Sequence, residues 1–223
     1  MTILVATGLL REARIIGRPG VVAIAGGGNA ARLEQALEEA ITLGAHRSGS
    51  PVRALLSSGV AGALDPALRP GDLVIGSDGT PELIAALRRA LPRAVSGGIA
   101  GSDRAAATVE QKLALRGRSD AIAVDMESHV AARVAARHAL PFAVVRAISD
   151  GAMDVLPPAA LAGMRPDGAM AIGAVLRSLA RDPRQIAALM RTARDAERGF
   201  RALLRCHRGL GLVDIVEHVL DMP

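Results

Sequence analysis

Carboxylates that close apolar runs are the first sign of chemistry in this 223-residue chain. Glu127 follows Val124-Asp125-Met126, and Asp150 ends the run Val145-Arg146-Ala147-Ile148-Ser149. An acid at the end of a buried strand is costly unless it is paired or used. Each therefore reads either as an acid–base or hydroxyl-binding group or as a cap for the element that follows. Glu12 lies in Thr7-Gly8-Leu9-Leu10-Arg11-Glu12, where it either complements a helix dipole or faces a ligand. Glycines crowd two further junctions, Ala25-Gly26-Gly27-Gly28-Asn29 and Ser57-Ser58-Gly59-Val60-Ala61-Gly62-Ala63-Leu64. At the first, a strand runs into a helix, so backbone N–H groups can approach an anion, or the glycines simply form a tight turn. Its spacing is not the G-x-G-x-x-G dinucleotide fingerprint.

These junctions need strands and helices to hold them. Runs rich in Val and Ile without polar alternation predict strands at Ile3–Ala6, Val21–Ala25, Val52–Ser57, Leu73–Ile75, Ala94–Ala100, Ala121–Asp125 and Phe142–Ile148. Helical periodicity predicts Leu10–Ile16, Asn29–Leu43, Pro81–Ala90, Ala105–Leu115, Glu127–Ala139, Pro166–Ala180 and Pro183–Arg205, the last with Asp182 as N-cap. The alternation implies a three-layer α/β/α fold, with ligands at the strand ends. Residues 1–180 are expected to form the core unit, with 181–223 a basic helical extension packed on it.

Composition narrows the function classes. Half of the residues are apolar and 22% are charged, a globular balance. Phe142 and Phe200 are the only aromatics besides histidine, which argues against a stacking platform for single-stranded nucleic acid. Cys206, the single cysteine, excludes an internal disulfide and a four-thiolate zinc site, and reads as a non-catalytic thiol although arginines flank it. His46, His129, His138, His207 and His218 lack metal-ligand spacing and are read as surface or packing residues, so no metal is expected. The opening Ile3-Leu4-Val5-Ala6 has no basic leader and no run reaches about 18 apolar residues. A cytoplasmic protein is expected. The net charge of +5 resides almost wholly in residues 177–208, which hold nine arginines. On a helical wheel Ile186, Leu189, Met190, Ala193, Phe200 and Leu204 share one face, with most arginines opposite. The helix is read either as packed with a solvated face or as a surface for anionic lipid.

Taken together, the glycine-rich S-G-x-A-G segment, Pro70-Gly71-Asp72, Asp125-Met126-Glu127-Ser128 and Val145-Arg146-Ala147-Ile148-Ser149-Asp150, in this order, resemble the nucleoside phosphorylase and nucleosidase superfamily. The segment from Leu156 to Arg208 is most similar to the hopanoid-associated phosphorylases. The resemblance implies cleavage of the N-glycosidic bond of an adenine nucleoside, with adenosylhopane as the expected substrate and small 5'-substituted adenosines such as methylthioadenosine as the alternative. It implies Asp150 as general acid at purine N7, Glu127 as ligand of the ribose 2'- and 3'-hydroxyls, Met126 against the sugar, and Glu12 orienting the nucleophile. Ser149 is expected near the base. Gly27 and Gly28, with Ser58, Gly59 and Val60, are expected around the sugar and the phosphate or water. No cofactor is implied, and phosphate remains open as a co-substrate.

The sequence departs from the family's pattern in ways that bear on the substrate. Val60 stands where many relatives have serine, and Arg104-Ala105-Ala106 replaces the aromatic that stacks on the base. A short connection after Asp78 and the apolar run from Val155 to Leu161 leave room for a greasy 5'-substituent, with Leu161 as its expected contact. Expected partners are a small or lipid-linked nucleoside, a membrane face through the 184–208 arginines, and a second copy of the chain through the Asn29–Leu43 helix. The rival of another class is a non-catalytic nucleoside-binding or membrane-surface protein. Nucleic acid is not expected.

Overall fold

The computed structural model describes residues 1–47, 51–163, 165 and 167–221. The chain runs β1 (Thr2–Thr7), α1 (Leu10–Ile16), β2 (Val21–Ala25), α2 (Ala30–Arg47), β3 (Val52–Ala63), β4 (Leu73–Gly76), α3 (Pro81–Ala90), β5 (Val95–Gly97) and β6 (Ile99–Gly101). It continues through α4 (Val109–Ser119), β7 (Ala123–Asp125), α5 (Ser128–Arg137), β8 (Phe142–Asp150), α6 (Pro158–Ala162), α7 (Ile172–Arg181), α8 (Gln185–Gly209) and α9 (Leu212–Leu220).

Eight strands form one mixed sheet in the order β2-β1-β3-β8-β4-β5. β1 pairs parallel with both β2 and β3, and β3 pairs parallel with β8, whereas β4 runs antiparallel to β8. β7 adds antiparallel to the far end of β3, and β6 pairs with β7. The three layers follow from the two-residue period of the strands. Ile3, Val5, Ala54, Leu56, Ala143 and Val145 point to one face, where α3, α8 and α9 contribute Leu83, Leu203 and Val216. Leu4, Ala6, Leu55 and Val144 point to the other, against Leu33 and Leu37 of α2 and Val130 and Val134 of α5.

Several sequence expectations are corrected here. The strand expected to end at Ser57 does not stop at a junction there: the glycine-rich Ser57–Ala63 segment continues β3 to twelve residues, because β8 pairs with it from Leu55 as far as Gly62. The predicted Ala94–Ala100 strand is two, β5 and β6, which pair with different neighbours. α4 starts four residues late, at the Thr108 cap, whose hydroxyl accepts from the Gln111 N–H while the Gln111 amide oxygen accepts from the Thr108 N–H. α6 and α9 were not foreseen, and the helix expected from Pro166 begins at Ile172, with Pro166 itself outside the described residues. α8 starts at Gln185, and Asp182 accepts from the Arg184 N–H without capping that helix.

The apolar face of α8 also changes along its length. Gly199, Phe200, Ala202, Leu203 and Cys206 are buried, but Ile186, Met190 and Ala193 are exposed. The reason is that α8 meets the sheet only in its C-terminal half: at Gly199 an added Cβ would stand 2.8 Å from the Ile148 carbonyl. Burial pushes the Cys206 thiol up to about 11, outweighing the opposing Arg18 charge. No helix among the described residues is long and apolar enough to cross a membrane.

Candidate active site

The C-terminal ends of β1, β3, β7 and β8 enclose a cavity of about 180 Å³. Glu12, Val60, Met126, Glu127, Ser149 and Asp150 all line it, together with Gly28. Ala105, Ala106, Val124 and Leu156 form a further apolar part of the wall, beside Arg104.

Glu12 is fixed by its place at the third position of α1. One carboxylate oxygen, Oε2, accepts the Gly8 and Leu9 N–H groups at 2.8 Å each, and Oε1 accepts the Val60 N–H at 2.8 Å. Burial raises its pKa, against the nearby Arg146 and these three amide donors. This close packing explains the glycines. A Cβ at Gly8 would stand 2.7 Å from Glu127 Oε1, and one at Gly59 would stand 2.7 Å from Arg146 Nη1 and 2.8 Å from Glu12 Oε1. The small residues of β3 therefore make space for charged side chains.

Beneath the cavity lies Arg146, which is completely buried within β8. Its Nη2 donates to Ser57 Oγ at 2.6 Å, pairs with Asp125 and lies 3.4 Å from Glu127 Oε2. Despite burial its pKa is raised, because Asp125, Glu127 and Glu12 favour the cation. Asp125 also accepts from Ser128 Oγ at 2.6 Å, which ties the β7–α5 junction to the cluster. Three carboxylates thus face one guanidinium. Desolvation, helped by Asp125 and Glu12, pushes Glu127 up to about 8 even though Arg146 opposes the shift.

That shift has a consequence for stability. The folded value lies above the ordinary 4.5, so the stabilisation from the bound proton is full below 4.5 and is lost as pH rises through 8. Relative to the wild type, Glu127→Gln should therefore gain stability as pH rises across that window, read as the urea midpoint at a series of pH values. A difference that does not change with pH would show that Glu127 is ionised throughout.

Asp150, at the end of β8, is held at both oxygens. Lys112 Nζ donates to Oδ2 at 2.5 Å, and Ser149 Oγ donates to Oδ1 at 2.8 Å. The structure thus sets an ammonium ion against the carboxyl group that the sequence led one to expect as general acid.

Residues 78–186 match the Phosphorylase superfamily. The 5'-methylthioadenosine/S-adenosylhomocysteine nucleosidase of Helicobacter pylori superposes with a TM-score of 0.65 at 16% identity, covering 94% of this chain and 99% of that one. The corresponding nucleosidase of Colwellia psychrerythraea, solved with adenine, gives 0.65 at 17% identity, over 94% and 96% of the chains. The H. pylori futalosine hydrolase gives 0.63 at 17%, over 94% and 98%. This chain has the phosphorylase-superfamily fold. A search of curated proteins found no match.

Within the phosphorylase-superfamily fold, the expected site residues divide. Glu12, Met126, Glu127, Ser149, Asp150, Val60 and Gly28 meet at one cavity. Gly27 is different: its N–H donates to the Gly8 carbonyl at 2.8 Å and is not available to an anion, although its φ of +64° demands glycine. Ser58 is also redirected. Its hydroxyl lies 2.9 Å from His207 Nε2 in the buried layer under α8, where burial holds the imidazole down at about 4. Gly59 serves by lacking a side chain rather than by touching the cavity. Leu161 does not line the cavity; Leu156 and Met170 do.

Asp125, Lys112 and Arg146 were missed as functional residues. Two of them left a trace: Arg146 as an arginine inside an otherwise apolar strand, and Lys112 as the one lysine of an arginine-rich chain. His129 pairs with Asp103 and His138 with Glu38, while the side chain of His46 lies outside the description. No group of His, Cys, Asp or Glu that could hold a metal occurs among the described residues.

Proposed function

We propose that the chain cleaves the N-glycosidic bond of an adenine nucleoside, with water as nucleophile. The carrying observation is the convergence of Glu12, Glu127 and Asp150 on one cavity that also presents Met126 and Ser149. Bond cleavage places positive charge on the sugar and negative charge on the base. Asp150 then delivers its proton to purine N7, Glu127 accepts hydrogen bonds from the ribose hydroxyls, and Glu12 takes a proton from the attacking water. The nucleosidase neighbours, one of them holding adenine, support adenine as the leaving group.

Water is favoured over phosphate on electrostatic grounds. Glu12 lies beside the Glu127 carboxyl group, and Arg146, the cation beneath them, has its Nη2 engaged by Ser57, Asp125 and Glu127. A phosphate anion brought to Glu12 would have a carboxylate as its neighbour, and Arg146 is buried beneath the cavity rather than lining it.

The finer reading is a lipid-linked nucleoside such as adenosylhopane. Met170 lines the cavity and is 58% exposed, so apolar surface continues from the site to the outside. Ile172 and Leu176 of α7 and Ile186 and Met190 of α8 are also exposed. Arg177, Arg181, Arg184, Arg191 and Arg194 on the same two helices and the turn between them are exposed and form no ion pair among the described residues. Exposed apolar side chains among unpaired arginines suit an anionic membrane surface.

Adenine release should be measured from methylthioadenosine and from adenosylhopane in vesicles containing phosphatidylglycerol, each with and without phosphate. Release that ignores phosphate supports the hydrolase, and a strict phosphate requirement overturns the choice of nucleophile. Faster turnover of the vesicle substrate supports the lipid reading, and faster turnover of methylthioadenosine favours small 5'-substituted adenosines. No adenine from either overturns the assignment.

A further inference from the structure

The 27 basic residues of the chain include a single lysine, Lys112. It lies on α4, which the Thr108–Gln111 capping box aims across the end of β8. Its side chain is 1% exposed. The ammonium has three N–H donors, and three acceptors receive them: Asp150 Oδ2 at 2.5 Å, the Gly151 carbonyl at 2.7 Å and the Asp154 carbonyl at 3.0 Å. A planar guanidinium with five donors cannot occupy this three-acceptor pocket without stranding some of them. In a chain that otherwise uses arginine for every basic position, lysine stands where a compact point charge is required.

We propose that Lys112 is a positioning residue for Asp150, fixing its carboxyl group and stabilising the anion it becomes when it protonates the leaving base. The proposal rests on the reading of Asp150 as the general acid. In that step the Asp150 O–H bond breaks and an N7–H bond forms, while the glycosidic electron pair moves onto the purine. The carboxylate left behind would be buried; Lys112 pairs it at once. Such pairing is stronger in the products of proton transfer than before it, so it lowers the barrier rather than merely tightening binding.

The ammonium also ties down the backbone next to the acid. Gly151 N–H donates to Asp154 Oδ2 at 2.7 Å, and Lys112 bridges the carbonyls of the same two residues. This stitches the turn after β8 to α4. The other charges near Asp150 come from different elements. Asp154 spends its carboxylate on the Gly151 amide, Arg191 and Asp195 of α8 border the adjoining surface cleft, and Arg104, Asp125 and Glu127 lie on the cavity side. Of the groups on either side, Lys112 is the cation in hydrogen-bond contact with Asp150 among the described residues.

The test compares Lys112→Met and Lys112→Arg with the wild type on two substrates. One is methylthioadenosine, whose leaving base needs a proton. The other is 4-nitrophenyl riboside, whose phenolate leaves without one. For Lys112→Met, kcat on methylthioadenosine should fall by about 10²-fold, within the range of general-acid effects, with KM little changed. Turnover of the nitrophenyl substrate should change little. Lys112→Arg, which keeps the charge but not the three-acceptor fit, should recover only part of kcat on methylthioadenosine. Lys112→Gln, which retains hydrogen bonding without charge, gives the same readouts should the methionine variant fail to fold. Equal losses on both substrates would reduce Lys112 to a structural role and overturn the proposal. A wild-type enzyme that releases no adenine while hydrolysing the nitrophenyl riboside would instead overturn the adenine reading, and the proposal with it.

Discussion

Replacing Asp150 with asparagine is expected to slow adenine release by about 10² to 10⁴-fold, the usual range for losing a positioned general acid. Asparagine keeps the shape of the group and can still accept from Lys112, so the loss should appear in kcat with KM nearly constant. The same variant should hydrolyse 4-nitrophenyl riboside at close to the wild-type rate, because that leaving group departs as a stable phenolate. The two substrates separate proton donation from architecture. Equal damage to both would make Asp150 a scaffold residue, tied through Lys112 to the Gly151–Asp154 turn.

The second large effect is on stability. Arg146 is wholly buried beside Asp125, Glu127 and Glu12, and it is raised in pKa by all three. Arg146→Met keeps much of the volume and removes the charge. It should cost about 3–5 kcal/mol, as for other buried pairs broken on one side, because the carboxylates lose their counter-ion while remaining buried. Urea denaturation across pH provides the check. Without the guanidinium the three acids are harder to ionise, so the folded variant holds protons that the wild type has already released. The deficit should therefore shrink as pH falls and widen as it rises. A deficit below about 1 kcal/mol at neutral pH would mean that water reaches the cluster and screens it. Arg146→Lys should recover only part of the loss, since the shorter side chain cannot carry its charge to the position of Nη2 between Ser57 and the two acids.

The sequence on its own was informative about chemistry because the reacting groups sit at strand ends, where local pattern is legible. Val124–Glu127 and Val145–Asp150 announce a strand closing on an acid, and Thr7–Glu12 a strand turning into a helix with an acid in its first turn. The alternation of Ile3/Val5 against Leu4/Ala6 already specifies a sheet with two buried faces, and hence three layers. The sequence misled where small residues carry little local preference. Ser57–Ala63 reads as a junction from its glycines, yet it is a strand, since pairing with β8 supplies backbone partners that no local propensity reveals. The exposed half of α8 was equally illegible, because a helical wheel shows that a face is apolar but not whether anything covers it.

What only the tertiary structure decided is how the charges meet. Lys112 and Asp150 are 38 residues apart, Ser57 and Arg146 89, and Ser58 and His207 149. A sequence can show that Glu12, Asp125, Glu127, Asp150, Lys112 and Arg146 are present. Ionic interactions depend on separation and on exclusion from water, and both are set by strand register and helix packing rather than by neighbours along the chain. The sheet places Gly59 opposite Arg146 and thereby gives a guanidinium room among three acids. The capping of α4 delivers an ammonium to the fourth acid, Asp150.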